Sequence, residues 1–176
     1  MPKTMEILDI SPELLETITE TFNTEYEMEM ARKIVDVFLT YELPVKVKQY
    51  YQPCMIGTYR IICFIKKSAE AVIINNKGTG RDGVSVQVRV DDKSTLSNLD
   101  NFSENIRSQI LNSNDCGNCS SKCENKKYIF SYQGITHIKC HFLCSNFSFQ
   151  NVNKDDIDNL IEIINNEIAY KQTRRK

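Results

Sequence analysis

The sequence lacks a long apolar run. Stretches such as Ile61-Ile62-Cys63-Phe64-Ile65 fall far short of the roughly 20 residues that a bilayer-spanning helix requires, and no membrane partner is expected. Residues 1–30 also lack the basic segment, apolar segment and small-residue cleavage site of a secretory signal. The expected location is therefore cytoplasmic. There the Asn-X-Ser triplets at Asn101, Asn118 and Asn146 carry no weight as glycosylation acceptors.

Internal repeats and low-complexity linkers are missing too. With 176 residues, this favours one domain over residues 1–171, followed by a flexible tail at 172–176. Within it, residues 1–112 read as an α-α-β-β-β-β-α core, 113–150 as a metal-binding hairpin subdomain and 153–171 as a closing helix. Nor is there a net charge of any size: the formal value is −1, with pI near 6.2. That balance conceals an asymmetry. Residues 1–30 hold eight acids against one base, leaving 21 bases against 15 acids downstream. Solvated helix faces account for the early acids. The 20 isoleucines and 16 asparagines, with many lysines, match the coding bias of a low-GC bacterium.

Ser11-Pro12-Glu13 is a helix start, since Ser caps free amides, Pro is tolerated in the first turn and an acid suits the positive end. A second helix is expected over residues 25–42, with Tyr26, Met30, Ile34, Val37 and Tyr41 as its apolar stripe and Pro44 beyond its end. Residues 45–51, 55–66 and 69–75 are rich in β-branched and aromatic side chains, and Val84, Val86, Val88 and Val90 alternate with polar residues. These are strands of an antiparallel meander with one buried face. Helices are expected over 97–111, with Phe102, Ile106 and Ile110 on one side, and from Asn153 onward, with Ile157, Leu160, Ile161, Ile164 and Ile168 inward. The predicted fold class is α+β: an antiparallel sheet of about four strands with N-terminal helices packed on it, plus a C-terminal cysteine-bearing β-hairpin and a closing helix.

Seven cysteines in a reducing compartment argue for metal rather than disulfides, and an odd number cannot pair completely within one chain. Five fall late, as Cys116-x2-Cys119-x3-Cys123-x16-Cys140-x3-Cys144, with the turn formers Asp115, Gly117, Asn118 and Ser120 around the first pair. Pairing Tyr132 with Ile135 across the Gln133-Gly134 turn sets Lys127 opposite Cys140, which brings Cys140 near Cys123. The predicted ligands of a structural zinc are Cys116, Cys119, Cys123 and Cys140, with Cys144 in reserve and His137 and His141 also within the stretch. An iron–sulfur cluster is the alternative cofactor. Closing a loop of 25 residues from Cys116 to Cys140 would help dock the final helix. Cys54 and Cys63 lie in apolar segments and read as core.

Gly78-Thr79-Gly80-Arg81-Asp82-Gly83 fits a dinucleotide fingerprint, but a strand follows where the phosphate-binding helix is needed. It reads as a hairpin loop, where Lys77 and Arg81 could meet an anion. Cys140 and His141, adjacent on a strand, point to opposite faces and make no nucleophile pair. Tyr128, Phe130 and Tyr132 stand near Lys122, Lys126, Lys127 and Lys139, the mixture used to bind single strands. Core packing, against the last helix, explains the stripe more simply, and a pI near 6.2 provides no strong basic field for nucleic acid. The functional expectation is a non-catalytic binding or regulatory module for a small molecule or protein, with structural zinc. Its alternatives are a metal- or thiol-dependent enzyme or redox protein, and a zinc-dependent binder of single-stranded nucleic acid.

Overall fold

A computed structural model describes residues 5–50, 58–75, 83–113, 127–140 and 146–174, with the backbone alone at 127, 128, 139 and 140. The chain is α+β. Strands β1 (Met5–Asp9), β2 (Val45–Tyr50), β3 (Tyr59–Ile65), β4 (Ser68–Asn75), β5 (Val84–Arg89) and β8 (Asn146–Phe149) form one antiparallel sheet in the order β1-β2-β3-β4-β5-β8. The expectation of about four strands is thereby corrected to six. β1 was unmarked because its apolar residues do not alternate cleanly, and β8 because four residues are too short to separate from the hairpin region.

One face of the sheet is the core. Val45, Val47, Ile61, Cys63, Ala71, Ile73, Val86, Val88, Phe147 and Phe149 are buried there in a single cluster with the apolar sides of the helices. The alternate residues Lys46, Lys48, Arg60, Ile62, Val72, Ile74 and Gln87 are only partly buried and form the opposite face, as strand alternation requires.

Helix α1 (Pro12–Thr19) starts where expected, with Ser11 Oγ accepting from the Leu14 N–H at 3.2 Å. Helix α2 (Glu25–Thr40) opens on a capping box between Thr24 and Glu27. Its buried side is Met30, Ala31, Ile34, Val35 and Phe38, whereas Tyr26 and Tyr41 are exposed. At about 100° per residue, a face centred on Ile34 and Phe38 leaves Tyr26 on its flank, which corrects the predicted stripe.

The helix expected over 97–111 is broken. Asp92 caps a short α3 (Lys93–Ser97), a 3-10 turn spans Leu99–Asn101, and Ser103 caps α4 (Glu104–Leu111). Two competing caps in one apolar run explain the break. Phe102, Ile106 and Ile110 still face the core. Strands β6 (Lys127–Tyr132) and β7 (Ile135–Cys140) form a separate two-stranded ribbon, and α5 (Lys154–Thr173) closes the fold. The last helix thus extends into the residues expected as tail. Among the described residues, no helix is long and apolar enough to cross a membrane.

Candidate functional site

The ribbon has the register that its sequence implied. Tyr132 pairs with Ile135 and Lys127 with Cys140, so the backbone of Cys140 lies at the open end of the ribbon. Cys116, Cys119, Cys123, Cys144, His141 and Cys54 lie outside the described residues. Among the described residues, no group of three or more His, Cys, Asp or Glu side chains is placed to hold a metal. His137 pairs with Phe130 across the ribbon and stacks on it, with centroids 4.9 Å apart. Cys63 is fully buried, and burial pushes its thiol far above the ordinary range, which keeps it protonated.

Two members of the ribbon's aromatic stripe, Phe130 and Tyr132, pack against the main body. Phe130 is buried in the common core, and the Tyr132 hydroxyl donates to Asp100 in the 3-10 turn. That contact raises the phenol's pKa. The packing partners include α3 and the 3-10 turn, where the sequence suggested the closing helix. Of the glycine-rich loop, residues 78–82 lie outside the described residues; Gly83 has φ +90°, and the strand β5 starts immediately after it.

Buried acids are the feature that pattern reading missed. Glu27 accepts from the N–H groups of Asn23 and Thr24 with one oxygen and from that of Val84, at 2.8 Å, with the other. An acid read as part of a solvated face therefore holds the start of a central strand. Asp156 accepts from Ser103 Oγ at 2.5 Å, Asn105 Nδ2 at 2.6 Å and the Asn153 N–H at 2.9 Å. Only its capping motif, Asn153-x-x-Asp156, was visible in advance.

A third group surrounds Lys171. The pairing of β3 with β4 shifts register between Cys63 and Phe64, which leaves Glu70 without a Cα partner. Such a bulge re-aims side chains, and Glu70 and Ala71 are consecutively buried. The Lys171 ammonium contacts Glu70, lies 3.1 Å from Asp91 and 3.7 Å from Glu167. Glu167 in turn accepts from the N–H groups of Asp91 and Asp92 at 2.9 and 2.8 Å. Burial raises the pKa of both Glu70 and Glu167, against the pull of Lys171. At Asp91, burial acts in the same direction, but Lys171 and Arg89 together outweigh it and hold the carboxyl below the ordinary range. A cavity of about 530 Å³ lies above this group, with Lys66, Lys67 and Arg174 among its lining residues.

On the open face of the sheet, Lys48 is the Cα partner of Arg60. Both cations lie over the ring of Tyr50, the ammonium 5.3 Å and the guanidinium carbon 5.4 Å from its centroid. Arg60 Nε is buried and has no hydrogen-bond partner among the described residues.

No protein family, curated protein or solved structure matches this chain. The Lys171 group joins α5, β4 and the end of β5 with charges that largely satisfy one another, and is a structural tie. Among the described residues, no carboxylate pairs with Lys48 or Arg60.

Proposed function

We propose that the protein is a non-catalytic cytoplasmic binding module, with a structural zinc held by Cys116, Cys119, Cys123 and Cys140 and with the open face of its sheet as the ligand surface. The observation that carries the metal reading is the pairing of Lys127 with Cys140. The chain segments that bear Cys123 on one side and Cys144 on the other both adjoin the open end of the ribbon, each four residues from the paired positions. At about 3.3–3.6 Å per residue, four residues reach no more than about 14 Å. Four thiolates gathered at that end of the ribbon would suit a tetrahedral ion. Cys144 remains the reserve ligand.

A closed shell of four thiolates leaves no position for a substrate or an activated water, so it supports a structural role over a catalytic one. Among the described residues, the thiol of Cys63 is buried and protonated and offers no nucleophile. Elemental analysis and an absorption spectrum of the purified protein test the reading. It requires about one equivalent of zinc and no visible colour. A brown protein containing iron would replace zinc with a cluster, and a metal-free protein with an unchanged melting temperature would remove the site.

A further inference from the structure

We infer that Lys48 and Arg60, both held near the ring of Tyr50 on the open face of the sheet, form a binding site for a phosphate group carried by a nucleotide or a single-stranded nucleic acid. The inference rests on the open face being the ligand surface, and it is independent of the metal.

Electrostatics favours an anion between these cations. In the register of β2 with β3, Lys48 stands directly opposite Arg60, and like charges so placed repel. One register row away, Lys46 has Asp9 as its cross-strand neighbour on β1 and forms an ion pair with it at 3.4 Å. No carboxylate among the described residues does this for Lys48 or Arg60. An unbalanced pair of cations on a sheet face is stabilised by an anion that bridges them.

Hydrogen bonding points the same way. Arg60 Nε is buried with no acceptor among the described residues, whereas buried donors in folded proteins are nearly always satisfied. A phosphate oxygen would supply the missing acceptor, and the planar guanidinium favours two-point contact with phosphate. Tyr50 fixes both cationic groups near one ring, so little side-chain freedom is lost on binding.

The neighbouring residues indicate what the phosphate is attached to. Arg60 is the Cα partner of Ile74, and Ile62, one residue pair along the same face, is the partner of Val72. These partly exposed apolar side chains provide a surface on which a base can lie beside its phosphate. That pairing of apolar platform and cation is the chemistry of single-strand binding.

The test uses the full chain with its zinc content measured in the same preparation. Fluorescence anisotropy with labelled 12-residue oligothymidylate and oligouridylate, and calorimetry with AMP and inorganic phosphate, are run at low salt on wild type, Lys48→Gln and the Lys48→Gln/Arg60→Gln pair. The expected result is salt-sensitive binding that weakens about tenfold or more in the double variant, a loss of charge-assisted hydrogen bonds. Oligonucleotides binding more tightly than AMP would identify a polymer as the source of the phosphate, and AMP binding as tightly as the oligonucleotides would identify a free nucleotide. Absence of binding by all four probes, or binding unchanged in the double variant, overturns the site. Should the double variant fail to fold, Lys48→Gln alone, at a partly exposed position, must weaken binding several-fold or the inference fails. Zinc present without phosphate binding rejects this site alone, and phosphate binding by zinc-free protein rejects the metal reading alone.

Discussion

The carboxylate of Glu27 accepts a hydrogen bond from the backbone N–H of Val84 at 2.8 Å, so the first turn of α2 holds the first residue of β5. The same oxygen lies 3.1 Å from the point a Cβ on Gly83 would occupy, and Gly83 has φ +90°. Glycine is required there by both the backbone conformation and the approach of the acid. Glu27→Ala should lower unfolding stability by about 1–3 kcal/mol, since it removes the capping box and leaves a buried N–H unsatisfied. Gly83→Ala should also destabilise. Urea denaturation of both variants and of the double variant checks this; because the residues touch, the two effects should not add.

Lys171 sits among Glu70, Asp91 and Glu167, and its replacement should have a pH-dependent cost. The Glu70 and Glu167 carboxyls are already raised above their ordinary value of 4.5. For each, the folded state binds protons more readily than the unfolded one, so stability falls as pH rises from the unfolded pKa through the raised folded value. Asp91 is held below its ordinary 3.8 and acts in the opposite sense, contributing stability that is lost as pH falls through its lowered folded pKa. Lys171→Met removes the cation that offsets all three charges. Its destabilisation should be about 3–5 kcal/mol near neutrality, the cost of breaking a buried pair, and markedly smaller at acid pH, where Glu70 and Glu167 are protonated. Equal destabilisation at pH 4 and pH 8 in chemical denaturation would contradict the arrangement.

The two faces of the ribbon should differ in their tolerance of truncation. Phe130 is 6% exposed, and Ile138, on the opposite face, is 45% exposed. Phe130→Ala should cost about 3–5 kcal/mol by opening a cavity, and Ile138→Ala should change stability by no more than about 0.5 kcal/mol. Thermal melts of the two variants distinguish a packed aromatic stripe from a free stacking platform.

The α+β class, the four middle strands, the helix starts at Ser11 and Asn153 and the ribbon register were all legible in the sequence. Each was written in local chemistry: alternation, a cap, a two-residue turn. The buried acids were not. Glu27, Glu70, Asp156 and Glu167 look like surface charges because their partners are distant in sequence, as Val84 is from Glu27 and Lys171 from Glu70. Glu70 was hidden further by the register shift in β4, which breaks the alternation that would have placed it. The Lys48–Arg60 pair was invisible for the same reason, since cross-strand neighbours exist only once a register is known. The predicted cysteine ligands fall outside the described residues, apart from the backbone of Cys140.

The structure changes what metal removal should do. The sequence suggested that a metal-closed loop docks the final helix. Instead α5 is held by the main body directly: β8 pairs with β5 just before it, Asp156 ties its first turn to Ser103 and Asn105, and Lys33 of α2 reaches Asp158 at 3.4 Å. The ribbon is less well anchored, because its two strands pair only with each other, and an isolated hairpin is marginally stable at best. Ile129 and Ile138 on its outer side are also 42% and 45% exposed, so little burial holds that side down. If zinc joins Cys116, Cys119, Cys123 and Cys140, chelation should raise amide exchange across Lys127–Cys140 while the amides in the middle of α5 stay protected. The same pattern should follow from Cys116→Ala or Cys119→Ala. Thiol labelling of the zinc-loaded protein should be slow at all four cysteines and accelerate with chelator. Hydrogen exchange that rises equally in α5 and the ribbon would mean that the metal supports the whole fold, and one fast-labelling cysteine in the zinc-loaded protein would point to a reactive thiol instead.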